Sequence, residues 1–422
     1  MSATVAYDVT RLVTRGLNAA PNGIDRVDFA LARRLLGAAP AEALLCTLRG
    51  PRRAPGDLAL RSIDEIETFW RETGSSKDDA AYARVVAALT NAAAPERIVR
   101  SLRGDIVRQN LRAAGRWALR GGLPASSLPP GAVYVNATGF LVDKPWFVRF
   151  LEQRADVKPV FFVHDLLPLE APEYFRPVEC ANHARRIANI CRLAAGVVVA
   201  SHVVERSLQR FAARNGGREF PVCVARLPVA RVFETPAIAD PALVDRAYFV
   251  MCGTIEPRKN HATILNVWRD LAERGEAPQL VVVGKRGWLN DATQAMMSRC
   301  PALRGKVIET GGLSTPGLRR LLAGARALLM PSHAEGFGLP VAEAMTARVP
   351  VIASDIPVFR EVGRDAIDLV DPIDGPGWRQ AILDHAAPQS PRRQAILDRL
   401  AALGPDPAAS FFEDVERFVA SL

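Results

Sequence analysis

LLMPSHAEGFGLPVAEAMTARVPVI, residues 328 to 352, is the stretch on which the reading of this chain turns. An apolar run ends at Met330, a glycine-rich turn carries Glu335, and Pro340 opens a short helix that contains Glu343. A second apolar run, Val349 to Ala353, follows. Strand, turn, helix and strand form a unit that presents backbone N–H groups at a helix N-terminus, a natural seat for an anion. Glu335 and Glu343, with seven residues between them, flank that seat. The pattern predicts a site for a phosphorylated, hydroxyl-rich ligand.

Working outward, the preceding sequence alternates in the same way. Tyr248 to Cys252 reads as a strand, followed by the loop Gly253-Thr254-Ile255-Glu256-Pro257-Arg258-Lys259. Asn260 is a candidate cap for a helix with Ile264, Leu265, Trp268 and Leu271 at helical spacing. Leu280 to Val283 is the next strand and runs into Gly284-Lys285-Arg286-Gly287-Trp288. Lys306 to Ile308 leads to Gly311-Gly312-Leu313-Ser314, where Thr315 and Pro316 start a helix. Loops at the carboxyl edge of such a sheet face a common crevice. Arg258 and Lys259, with backbone N–H groups, suit a diphosphate whose charge grows on a leaving group. Glu343 can accept hydrogen bonds from a diol such as a ribose, and Glu335 would face the moiety beyond the phosphates. Taken singly, each reads better as an exposed loop charge or a helix-surface residue; together they do not, and their convergence is the signal.

The N-terminal half shows the same rhythm with an interruption. Thr4 to Asp8 reads as a strand, Asn22-Gly23-Ile24-Asp25-Arg26 as a loop, and Val27, Ala30, Leu31, Leu35 and Leu36 mark a helix. Gly23 needs no more than a tight turn to explain it. Leu44 to Leu48 is a second strand. Residues 51–130 depart from alternation and read as a helical insertion between PRRAPG and GGLPASSLPPG. Alternation resumes at Val133-Tyr134-Val135 with the loop Asn136-Ala137-Thr138-Gly139. The runs PVFFV (159–163) and GVVVA (196–200) look like parallel strands buried on both faces. They end at His164-Asp165 and Ser201, where open α/β sheets bind ligands. His164 is either a cap or core histidine or a ligand contact. Irregular sequence from Pro228 to Pro241 suggests a linker. The expected architecture is α/β with two doubly wound domains facing a cleft: 1–235, carrying the insertion, and 236–405. A final helix, 406–422, has Phe411, Phe412, Val415, Phe418 and Val419 as its apolar positions.

Composition limits the function classes. A chain of 422 residues is too long for one ordinary core. No apolar run reaches about 18 residues, so no transmembrane helix is expected. The first residues lack a secretion signal, and six scattered cysteines without metal spacing suggest reduced thiols in a cytoplasm. The net charge of +9 owes much to Arg97, Arg100, Arg103, Arg108, Arg112, Arg116 and Arg120. From Arg108 the spacing of four keeps them on one helical face, which either lies on an anionic membrane or is simply solvated. No nucleic-acid reading motif accompanies the charge, so nucleic acid is not an expected partner.

Five blocks, in order, resemble the C-terminal domain of family 4 retaining glycosyltransferases, which have the two-Rossmann GT-B architecture. They are CGTIEPRKNH (252–261), VVVGKRGW (281–288), GGLS (311–314), PSHAEGFGLPVAEAM (331–345) and VPVIASDIPVFREV (349–362). In the first half, GIDRV, NATG and VHDLLP resemble bacterial mannosyl- and rhamnosyltransferases of surface polysaccharide synthesis. The resemblance implies that Arg258 and Lys259 bind the donor diphosphate and Glu335 orients the transferred sugar. It makes Gly253, Gly336, Phe337, Gly338 and Leu339 backbone contacts, Glu343 the ribose contact, Gly284 and Leu313 the border of the base, and His164 a contact to the donor sugar. Thr254 departs from the pattern, standing where many members carry a diphosphate-binding arginine. The implied reaction is transfer of a hexose with retention from a nucleotide-diphosphate sugar, GDP-mannose or a related GDP-sugar being favoured. It needs neither cofactor nor metal, and no DxD pair stands at a strand end. The implied acceptor is a saccharide or lipid-linked saccharide, with the protein cytoplasmic or peripheral at the inner membrane face. Two other classes fit the same shape: a non-transferring relative, such as a sugar-nucleotide 2-epimerase or a phosphorylase, and a binding scaffold. A phosphorylase needs a Schiff-base lysine for pyridoxal phosphate, for which this lysine-poor chain offers no obvious candidate.

Overall fold

Two mainly parallel sheets carry the molecule, and short runs of β-branched and aromatic residues build both. The computed structural model describes residues 3–15, 23–38, 40–47, 49–73, 79–91, 122–236, 239–404 and 407–422. Asn22 and the arginine-rich stretch from Arg97 to Arg120 lie outside them.

The first sheet contains β1 (Val5–Asp8), β2 (Ala41–Thr47), β3 (Gly50–Pro55), β4 (Leu123–Pro124), β5 (Val133–Asn136), β6 (Lys158–Val163), β7 (Gly196–Val199) and β8 (Val222–Val224), in the spatial order β4-β3-β2-β1-β5-β6-β7-β8. Valines and phenylalanines of β6 and β7 are buried on both faces, as continuous apolar runs require. The expected helical insertion needs correcting at both ends. It opens with β3, antiparallel to β2, and closes with β4, antiparallel to β3. Helices Gly56–Thr73 and Ala80–Thr90 lie between. Pro51 and Pro55 sit towards the ends of β3, outside its pairing with β4 through Arg52 and Arg53, so neither breaks that ladder.

The second sheet contains β9 (Tyr248–Cys252), β10 (Gln279–Val283), β11 (Val307–Thr310), β12 (Leu328–Met330), β13 (Val351–Ser354) and β14 (Asp368–Val370), all parallel, in the order β11-β10-β9-β12-β13-β14. This order reverses between β9 and β12, as it does between β1 and β5 in the first sheet. Crevices form at such reversals. The GT-B arrangement expected from sequence is the one observed. Trp268 and Trp378 fill the second core, their indole N–H groups donating to Pro278 O and Asp371 O at 2.9 and 3.0 Å.

The last helix, Phe411–Ser421, lies on the first domain. Phe411 is fully buried with its ring 6.5 Å from that of Phe162, and Arg34 grips Glu416 at 2.6 and 2.9 Å. Burial of one such phenylalanine is worth about 2 kcal/mol. No helix among the described residues is long and apolar enough to cross a membrane, and the six cysteines are free thiols.

Candidate active site

The loops after β9 and β12 meet where the second sheet reverses. Val250 and Met251 of β9 pair in parallel register with Leu328 and Leu329 of β12, so the two loops emerge side by side. Pro257 turns the first into a single 3-10 turn, Pro257–Lys259, which presents consecutive cations. The carbonyl of Arg258 accepts from His333 N at 2.8 Å and stitches the loops together.

Glu335 is the centre of the charge cluster. Arg258 Nη1 donates to its Oε2 at 2.7 Å, Ser332 Oγ to its Oε1 at 2.8 Å, and Lys259 Nζ also bonds Oε1. Burial opposes ionisation of Glu335, yet Arg258 and Lys259 hold its carboxyl down at about 2. Arg258 in turn gives Nε to Glu256 Oε1 at 2.7 Å. Burial works against the Arg258 charge, but Glu335 and Glu256 hold its pKa above the ordinary guanidinium value. The two expected diphosphate cations are therefore one preorganised network with two carboxylates. Gly253, at φ 141°, lies beside this network: a Cβ there would come 3.5 Å from Lys259 Nζ, so the glycine keeps the approach to the amine open. Gly284 abuts the Gly253 carbonyl. Glycine 338 and Leu339 begin the helix Leu339–Thr346, and Phe337 is buried with the Arg226 guanidinium 6.0 Å above its ring.

Glu343 projects from that helix and is buried. Burial raises its pKa, with Arg26 opposing. Arg26 comes from the first domain's helix Gly23–Leu36; Nη1 donates to Glu343 Oε1 at 2.8 Å and Nη2 to Thr315 Oγ1 at 2.9 Å. Next to Thr315, Ser314 N donates to Asp79 Oδ2 at 2.9 Å. Leu313 is thus in a loop held from the first domain.

Across the crevice, His164 stacks on Phe162 with ring centroids 4.5 Å apart, and its Nε2 lies 2.8 Å from Ala137 O. A carbonyl only accepts, so Nε2 carries the proton. Burial pushes the ring down to about 4, leaving it neutral with Nδ1 as an acceptor. Gly336 is pressed against this segment: a Cβ there would sit 2.4 Å from His164 O and 2.9 Å from Asp165 Cβ. The domains therefore meet at a glycine from the decisive stretch.

Two expectations need correction. Ser201 does not face a ligand; it is fully buried, its Oγ accepts from Val204 N at 3.2 Å and donates to Gly336 O at 3.0 Å. Asn260 stands at the start of its helix but makes no side-chain cap bond, because a φ of 55° turns its amide towards Pro372 O at 2.8 Å. Sequence reasoning also passed over Ser332, Glu256 and Arg26. Serine 332 and Glu256 lie within the quoted motifs, three residues before Glu335 and two before Arg258. Arg26 follows β1 in the first domain, at the same carboxyl edge that was credited to other loops. Among the described residues, no cluster of three or more His, Cys, Asp or Glu side chains is arranged to hold a metal.

Comparison with known proteins bears on the second domain above all. The family described as Glycosyl transferases group 1 matches residues 237–373, which include both switch-point loops. This domain is a group 1 glycosyltransferase domain. The serotype-specific mannosyltransferase WbdA of Escherichia coli is 33% identical over 221 residues, covering 49% of this chain and 27% of that protein. The O-antigen chain mannosyltransferase RfbU of Salmonella typhimurium is 37% identical over 138 residues, 32% of this chain and 37% of that protein. The chain thus matches between about a quarter and two fifths of the length of these curated relatives. Two solved structures align over the whole chain: sucrose-phosphate synthase from Thermosynechococcus elongatus, at TM-score 0.60 and 15% identity, covering 100% of both chains, and Anabaena HepE in complex with UDP, at 0.56 and 14%, also covering 100% of both. These likenesses carry the fold around the group 1 domain.

Proposed function

We propose that the protein is a retaining mannosyl- or related hexosyltransferase that moves a sugar from a nucleotide-diphosphate donor to a saccharide or lipid-linked saccharide in bacterial polysaccharide synthesis. The observation that carries this reading is Glu335, ionised between Arg258 and Lys259 at the crevice where the two domains meet. Its similarity to O-antigen mannosyltransferases supports mannose as the sugar, and a GDP-sugar is the favoured donor. The work is done in the cytoplasm or at the inner face of the membrane, without a resident cofactor or metal.

In this reading the diphosphate lies over the faces of Arg258 and Lys259 turned from Glu335, with the N–H groups at Gly338 and Leu339 beside it. Glu335 has two tasks: it fixes both cations in place and accepts from hydroxyls of the transferred sugar. His164, neutral, accepts through Nδ1 from the sugar's far side. Leu313 and Gly284 border the base. As the bond from the anomeric carbon to phosphate oxygen breaks, positive charge spreads over the ring and negative charge grows on the phosphate, which the cations stabilise. The acceptor oxygen bonds to the anomeric carbon on the same face, and its proton passes to the departing phosphate oxygen. Preformed cations cost no reorganisation at that moment.

The test is nucleotide release from GDP-mannose with and without added saccharide acceptor. Release that requires acceptor supports transfer; equal turnover without acceptor points to an epimerase, and binding without turnover to a scaffold. Lys259→Ala is expected to lower acceptor-dependent release by about two orders of magnitude or more, in line with loss of a charge stabiliser. Near-normal release by this variant contradicts the assignment.

A further inference from the structure

Arg26 is the residue that the proposed reaction leaves unexplained. It belongs to the first domain, yet its guanidinium bridges two groups of the second: Glu343 at 2.8 Å and Thr315 at 2.9 Å. Glu343 has a side chain only 5% exposed, and Arg26 is its ion-pair partner among the described residues. Beside it at the end of β9 is the Cys252 thiol, pushed up to about 12 by desolvation first and by Glu343 second, so it carries no charge at neutral pH. A buried carboxylate with no cation beside it tends to take up a proton, and a protonated one is a poor acceptor for two hydroxyls. The planar fork of an arginine also fixes the rotamer of whatever it grips. Thr315 gives that fork a second anchor, in the helix start next to the Ser314 that Asp79 holds.

We propose that Arg26 is a positioning residue for the nucleotide ribose: it fixes the Glu343 carboxylate as the acceptor for the 2′- and 3′-hydroxyls, so that ribose is recognised only when the first domain is in place. This rests on the donor-site reading given above. It assigns to the first domain a share of nucleotide recognition, in addition to its contact with the sugar. Arg26 leaves one carboxylate oxygen of Glu343 for the diol while neutralising the other, and it is supplied by the opposite domain.

The experiment is equilibrium titration of the full chain with GDP and UDP and with their 2′,3′-dideoxy counterparts. The wild type is expected to prefer the ribose form of its nucleotide by about tenfold or more, the size of a hydrogen bond to a charged group. R26A is expected to lose that preference while its dideoxy affinity stays within about twofold of wild type. E343A should behave in the same way, and the double variant should lose nothing further. R26K keeps the charge without the fork and should recover part of the preference, which also keeps the question answerable if R26A melts early. Wild-type discrimination in both R26A and R26K overturns the inference, as does tighter ribose binding in R26A, which makes Arg26 a competitor of the ribose. If the wild type binds none of GDP, UDP, ADP and dTDP, the donor-site reading falls and takes this one with it; retained discrimination in the variants removes this one alone.

Discussion

At the scale of single residues, the site works by pairing charges before any ligand arrives. Glu335 is held at about 2 by Arg258 and Lys259 against the cost of burial. A carboxylate depressed in this way stabilises the fold above its unfolded pKa, and the contribution fades as the pH falls towards the folded value. Glu335→Gln leaves the buried Lys259 and the partly buried Arg258 with one fewer counter-charge. It is expected to cost about 3 kcal/mol in urea unfolding at pH 7, a difference from wild type that shrinks towards pH 3; an equal gap at both pH values contradicts the pairing. Glu335, Glu343, Arg258 and Lys259 were legible because each belongs to a local pattern at a strand end. Arg26 was not, since its partner Glu343 lies 317 positions along the chain. Ser201 was placed at the correct sheet edge but given the wrong task. Sequence shows that a polar residue ends a strand; it does not show that a neighbouring domain's carbonyl waits for its hydroxyl.

At the scale of elements, the glycine-rich turn proposed as the ligand seat is also a domain contact. Gly336 meets His164 and Asp165 so closely that a methyl group cannot enter without moving one domain. Gly336→Ala is expected to leave both sheets folded by circular dichroism but to separate the halves, seen as faster protease cleavage in the 228–241 linker and at least tenfold lower turnover. Unchanged cleavage and turnover refute that contact as a constraint. The central strands were legible because buried parallel strands are continuous apolar runs: β9 is the predicted Tyr248–Cys252, and β6 gains only Lys158. β2, read from Leu44, starts at Ala41, and the three-residue β8 and β14 were not read at all. The insertion was misread at its ends. β3 carries Arg52 and Arg53 between prolines, and its pairing is set by β2 and β4 rather than by its own composition. Pairing partners brought from about 70 residues away leave no local trace.

At the scale of the whole molecule, the two domains share contacts from one end of the cleft to the other. Arg26 and Asp79 join them at the end proposed for the nucleoside, Ser201 and Gly336 in the middle, and Trp288 donates to Tyr174 O at 2.9 Å beyond them. The ring of Tyr174 also stacks on His333, with centroids 5.5 Å apart. Five of the six histidines, His164, His183, His261, His333 and His385, are pushed below their ordinary pKa, chiefly by burial. Above pH 6.5 they are neutral in both states and contribute no pH dependence. As the pH falls below 6.5 the unfolded chain takes up protons that the folded chain refuses, so stability drops. The melting temperature is expected to fall between pH 7 and pH 5, and His164→Asn should make that fall smaller. A flat profile, or an unchanged slope in the variant, contradicts the burial of these rings. The central claim, that the crevice between these domains binds a nucleotide-diphosphate sugar through the Arg258–Lys259–Glu335 network, is tested most directly by thermal melting against a panel of GDP-, UDP-, ADP- and dTDP-sugars. At least one is expected to raise the melting temperature of the wild type, and Lys259→Ala to abolish the shift. No shift with any of them, or one that survives in Lys259→Ala, contradicts it.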